Sequence, residues 1–124
     1  MTPYVAQRHH SRGMYFAGHG YPFIAVDVRG RGNSMGEFNP RNDSNDCHDV
    51  IEWLAKQEWC DGQVAMYGSS YSAYLQWASV KERSARLTTM VPVASPCRGV
   101  DAPMRNNVFT TYTMRWLTLI SGRT

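Results

Sequence analysis

The residues with most chemical promise lie in Gln63-Val64-Ala65-Met66-Tyr67-Gly68-Ser69-Ser70-Tyr71-Ser72-Ala73. A short apolar run of strand length leads into a glycine, then a serine among small residues, then a helical pattern. This order suits a strand-to-helix turn tight enough to hold its central hydroxyl clear of the sheet, where it can act as a nucleophile toward a carbonyl. The small neighbours are a steric requirement: Gly68 lets the strand end approach the helix, and Ser72 and Ala73 avoid a clash across the turn. Ser70 is then the nucleophile, because placing it at Ser69 would put Tyr67 where a small residue is needed. The backbone N–H of Tyr71, heading the next helix with the positive end of the dipole behind it, is one half of an oxyanion hole. The second glycine of Gly-x-Ser-x-Gly is missing, so these residues alone also fit an ordinary strand–turn–helix connection.

The surrounding sequence adds a resemblance. Glu52-Trp53-Leu54-Ala55-Lys56-Gln57-Glu58-Trp59-Cys60 and the segment Asp61–Tyr71 resemble the cocaine esterase, α-amino-acid ester hydrolase and X-Pro dipeptidyl-peptidase family of serine hydrolases. A second signature of that family, Asp-x-Arg-Gly-x-Gly-x-Ser-x-Gly-x-Phe, is matched from Asp27 through Phe38. Its implied role is architectural, and neither Asp27 nor Arg29 is given a catalytic duty. In the family a Pro-Tyr segment near the start supplies a second oxyanion donor through the tyrosine hydroxyl, and Tyr4 matches it. The resemblance runs from Tyr4 to about Gly122. It implies an α/β protein: a partial α/β-hydrolase fold whose core spans 1–96, with 97–124 opening a helical cap.

The elements that must position these residues follow from periodicity. A helix is expected from about Ala6 to Ala17, ended by Gly18 and Gly20. Tyr21–Val28 reads as a buried parallel strand with Pro22 at its start. The glycine-rich run after it is a structured loop. A dinucleotide-binding turn would have to open a helix, whereas this run leads into Asn39-Pro40-Arg41-Asn42-Asp43, and two Arg-Gly units are too few for a nucleic-acid segment. Asn42–Asn45 forms a cap cluster for an amphipathic helix in which Cys47, Val50, Ile51 and Leu54 share a stripe, with Asp46, Asp49 and Glu52 outside and His48 beside the stripe. After Ser70 comes a helix apolar almost all round, then a buried-type strand over Leu87–Val93. Together these give a parallel sheet built from βαβαβ units. Residues 94–107 read as loop. Val108–Ile120 read as a weaker helix on Phe109, Tyr112, Trp116, Leu119 and Ile120, stopped by Ser121-Gly122.

Composition sets the remaining bounds. The chain of 124 residues holds at most one domain, is 43% hydrophobic, and carries a net charge of +3, too small to imply a nucleic-acid partner. No apolar run has the length of a membrane span, and no signal peptide is evident. Cys47, Cys60 and Cys97 show no metal spacing, so free thiols in a reducing, cytoplasmic setting are expected, with no cofactor or metal. The substrate implied is a small ester or amide, or a peptide.

A serine needs a base and an orienting acid. No histidine follows Ser70; His9, His10, His19 and His48 all precede it. Asp101 follows a strand, where some α/β hydrolases carry their acid, but the resemblance places both acid and base later than Thr124. The expectation is a fold truncated before its catalytic acid and base, leaning on the C-terminal part of such an enzyme or on an oligomer partner. An inert remnant is the alternative.

Overall fold

The computed structural model describes residues 1–121 as an α/β arrangement with a parallel pair of strands at its centre. β1 (Val64–Ser69) and β2 (Leu87–Val93) are joined through α3 (Tyr71–Val80). Their register runs from Ala65 opposite Thr89 to Ser69 opposite Val93, with an irregularity next to Val64. At that irregularity the Thr88 hydroxyl donates to the Val64 carbonyl at 3.2 Å. Side chains alternate along β1: Val64, Met66 and Gly68 turn inward while Ala65, Tyr67 and Ser69 are exposed, as period-two geometry requires.

α3 packs on both strands, and α2 (Asp43–Leu54) packs on α3. On the opposite side α1 (His10–Gly18) reaches Tyr67, whose ring lies 5.9 Å from Phe16 and 4.9 Å from the Arg12 guanidinium. The buried centre is Val28, Cys47, Tyr71 and Leu75, with Met1, Tyr4, Phe38, Tyr74 and Trp116 against it. A two-residue hairpin, β3 (Met104–Arg105) with β4 (Val108–Phe109), precedes α4 (Thr111–Ser121).

Several expectations are corrected. Tyr21–Val28 is not a strand, so the sheet contains one βαβ unit rather than βαβαβ. Among the described residues its one bridge is Asp27 with Thr2, where Thr2 N–H donates to the Val26 carbonyl at 2.8 Å and Val28 N–H to the Thr2 carbonyl at 3.0 Å. The rest of the run folds back on α1, with Phe23 stacked on Phe16 at 5.6 Å, and Tyr21, Ile24 and Ala25 remain exposed. The first helix begins as a 3₁₀ turn over Ala6–His9 and becomes α-helical only from His10.

The cap of the second helix also differs. Asn42 makes no side-chain cap bond; Asn39 instead accepts from Arg41 N–H at 3.1 Å and caps a 3₁₀ turn over Pro40–Asn42. α3 is not apolar all round, since Gln76 and Ser79 are buried and Trp77 and Val80 exposed. β2 is shielded on one side only, leaving Val91 and Val93 about half exposed. The C-terminal helix starts at Thr111 rather than Val108, Val108–Phe109 being a strand; its inward positions are Thr113, half-buried Trp116 and Ile120, while Tyr112 and Leu119 are exposed. The expected stop at Ser121-Gly122 falls partly outside the described residues. No helix among those described is long and apolar enough to cross a membrane.

Candidate active site at the β1–α3 turn

Ser70 joins β1 to α3 with φ 57° and ψ −123°, a conformation that L-residues avoid. Two features hold it there. Its N–H donates to the Val93 carbonyl at 3.0 Å, extending the sheet ladder by one residue, and its carbonyl accepts from Ala73 and Tyr74 at 3.0 Å, starting the helix. The chain must reverse between these bonds. Any Cβ at Gly68 would stand 2.6 Å from Ser72 Cβ, so the approach requires glycine there and a small residue at 72. The Ser70 Oγ, on a half-buried residue, makes no hydrogen bond among the described residues and is not spent on capping α3. As the first residue of α3, Tyr71 has an N–H with no intrahelical acceptor.

Gln76, one turn on, was not singled out from the sequence. It is fully buried, and its Nε2 lies 3.1 Å from the Ser72 carbonyl and 3.4 Å from the carbonyls of Gly68 and Val91, so it ties α3 to both strands beneath the turn. Its Oε1 has no partner among the described residues.

Tyr4 lies in the same aromatic cluster as Tyr71, which stacks on Trp116 with centroids 5.4 Å apart. Trp116 Nε1 donates to Tyr4 Oη at 2.8 Å. An indole N–H can only donate, so the Tyr4 hydroxyl accepts here and keeps its own proton. Next to it, Val5 has φ 71°, a genuine outlier for a β-branched residue. Its neighbour Ala6 donates its N–H to Asp27 Oδ1 at 2.6 Å. Backbone strain therefore sits beside Tyr4 as well as at Ser70.

The Asp27–Phe38 loop is a brace. Asp27 Oδ2 accepts from Asn33 N–H at 3.1 Å, and a Cβ at Gly32 would collide with the same carboxylate. Buried Arg31 donates to the Ile120 carbonyl at 2.6 Å and the Leu119 carbonyl at 3.3 Å, satisfying the C-terminal end of α4. Arg29 forms a two-point pair with Asp46 on α2.

Of the other candidates, Asp101 and His19 are engaged elsewhere. Asp101 Oδ1 accepts from Cys97 N–H at 2.6 Å within its own turn. His19 Nδ1 pairs with the Tyr15 carbonyl, and buried His48 Nδ1 has no partner among the described residues. Burial, ahead of nearby Arg12, lowers the pKa of His9. None of the four is hydrogen-bonded to Ser70 among the described residues.

The fold is thus of the α/β class, with a strained serine where a parallel strand meets a buried helix. The chain belongs to the X-Pro dipeptidyl-peptidase (S15) family, whose profile matches residues 1–122. It is 37% identical over 78 residues to the cocaine esterase of Rhodococcus sp. (strain MB1 Bresler), covering 62% of this chain and 14% of that protein. A putative serine esterase of Mycobacterium bovis is 39% identical over 59 residues, 45% of this chain and 9% of its own length. A putative Xaa-Pro dipeptidyl-peptidase of Streptomyces avermitilis is 28% identical over 98 residues, 65% of this chain and 14% of its own length. The matched part of this chain therefore spans no more than 14% of the length of these relatives.

Proposed function

We propose that this chain carries the nucleophile and oxyanion donors of a serine hydrolase acting on a carboxylic ester or amide, its turn at Ser70 being a nucleophile elbow. The observation that carries the reading is the Ser70 backbone, held at φ 57° with a free Oγ at the strand–helix junction. Backbone strain of this kind persists where the surroundings over-determine it, commonly at a reacting group.

Ser70 Oγ attacks the carbonyl carbon as its proton passes to a base from outside these residues, which later hands it to the leaving group, and the developing oxyanion is met by Tyr71 N–H and the Tyr4 hydroxyl. Collapse expels the alcohol or amine and leaves acyl-Ser70, which water hydrolyses. Each oxyanion donor of this type is worth roughly 3 kcal/mol in the transition state. The family membership and the names of the relatives, which attach to esters and Xaa-Pro peptides, support this reaction class.

The base and acid are not among these residues in the order that the family resemblance implies, since no histidine follows Ser70. In this reading residues 1–96 are part of an α/β-hydrolase core and 97–124 open an insertion over it. The acid and base come from outside the 124 residues. The second reading is an inert relative of such an enzyme, since no histidine follows Ser70.

The test is to treat the polypeptide containing these residues, purified from its source, with a fluorophosphonate probe and map the adduct. The expected adduct is on Ser70 and is lost in Ser70→Ala. The 124-residue chain alone should react at background rate and leave p-nitrophenyl esters intact. Fast reaction of that short chain would reveal a base inside it, and no adduct in the source polypeptide would favour the inert reading.

A further inference from the structure

Asp43 opens α2 but does not behave as a helix-start carboxylate. It is 3% exposed, and its hydrogen-bond partner is a side chain 28 residues away rather than the backbone of its own helix. Tyr71 Oη donates to Asp43 Oδ2 at 2.5 Å. Arg98, in the loop after β2, brings Nη2 to 3.5 Å from that carboxylate oxygen and donates to Tyr71 Oη at 3.2 Å. Its guanidinium lies over the Tyr74 ring at 4.0 Å, and Nη1 donates to the Pro40 carbonyl at 3.2 Å. Three chain segments thus converge on one buried carboxylate.

The cluster bears on the turn because Tyr71 belongs to both. Its side chain is held by Asp43 and Arg98, while its backbone N–H follows directly on Ser70. A first helical turn lacks half of its backbone hydrogen bonds and frays readily. Tyr71 has an anchor outside the helix that opposes fraying.

We infer that Asp43 is a positioning residue: by gripping the Tyr71 hydroxyl, with Arg98 closing the cluster, it fixes the first turn of α3 so that Tyr71 N–H stays aimed at the oxygen of the attacked carbonyl. This rests on the reading of Ser70 as nucleophile. A misplacement of about 1 Å at such a donor is worth on the order of 100-fold in rate.

Two measurements on the source polypeptide test it. In the first, fluorophosphonate reaction at Ser70 slows roughly 10- to 100-fold in Asp43→Ala and in Tyr71→Phe, with probe affinity unchanged. Asp43→Asn, which keeps an acceptor oxygen for the hydroxyl, recovers most of the rate. The Asp43→Ala/Tyr71→Phe double variant is no slower than Tyr71→Phe alone. In the second, amide hydrogen exchange at residues 71–74 quickens in Asp43→Ala while exchange in β2 does not. A wild-type rate in Asp43→Ala, a multiplicative loss in the double variant, or equal acceleration in β2 would overturn the inference. Should the unsubstituted protein fail to react at Ser70 while exchange at 71–74 responds as stated, the hydrolase reading fails and the Asp43–Tyr71 tie survives.

Discussion

Residues 64–69 and residues 21–28 are both short apolar runs, and the first is a strand while the second is not. The first pairs along its length with residues 87–93 and has α3 packed over one face. Among the described residues the second bridges only to Thr2, and Tyr21, Ile24 and Ala25 face solvent. Apolarity by itself drives a segment out of water. A ladder forms only where a second backbone offers carbonyls and N–H groups in register, because burying unpaired peptide groups costs more than the side chains return.

If this contrast is right, truncating the helix packed over residues 64–69 and truncating residues 21–28 have unequal effects on stability in denaturant titrations. Leu75→Ala, at a fully buried site beneath the turn, should cost about 3–4 kcal/mol. Ile24→Ala, at a position 42% exposed, should stay within about 0.5 kcal/mol. A comparable loss at Ile24 would mean that residues 21–28 are more deeply packed than described. Gly68→Ala follows at about 2–3 kcal/mol, from the 2.6 Å approach to Ser72 Cβ, and Gly68→Ala combined with Ser72→Gly should recover part of it.

The Asp43 cluster gives a pH-dependent effect of intermediate size. Burial, opposed by the Tyr71 hydrogen bond and by Arg98 and reinforced by Asp46, pushes the Asp43 carboxyl up to about 6 from 3.8. The Tyr71 hydroxyl is likewise pushed above its ordinary range, chiefly by burial and then by Asp43. With the Asp43 value raised, the folded state holds the proton that the unfolded state has already released between those two limits. Asp43 therefore subtracts from stability as pH rises from about 4 to about 6, and its contribution is level above that. Subtracting the curve of Asp43→Asn from that of the unsubstituted chain isolates the slope; a flat difference would contradict it. Smallest is Arg29→Ala, which removes a solvent-exposed guanidinium from its pair with Asp46 and should leave the denaturation midpoint nearly unchanged.

What could be read from sequence divides along the same line. The turn at Ser70 was legible because its steric demands fall within five residues: Gly68 and Ser72 have to be small for the strand and helix to meet. The architectural role of Asp27 was implied by the family signature, and its carboxylate accepts from Ala6 and Asn33 N–H while leaving no room for a Cβ at Gly32. Asp43, by contrast, looks like a helix cap, and only its partner 28 residues away shows otherwise. Gln76 sits in a run that reads as an apolar helix, and only the fold shows that it reaches three carbonyls on three elements. The face of α4 was legible only in part: Trp116 and Ile120 turn inward as their spacing suggests, but Thr113 joins them in place of Tyr112 and Leu119, and the docking contact is Tyr4, 112 residues earlier, which receives the Trp116 N–H. No window of local periodicity contains that information.

The central claim is that the backbone at position 70 is strained to present a hydroxyl, and a comparison of glycine with alanine measures this without reference to catalysis. At position 69, inside β1, Ser69→Gly should be less stable than Ser69→Ala by about 0.5–1 kcal/mol, the ordinary strand penalty. At position 70 the order should invert, Ser70→Gly exceeding Ser70→Ala by about 1 kcal/mol, since glycine alone accepts φ 57° freely. Alanine more stable than glycine at both positions would contradict the account.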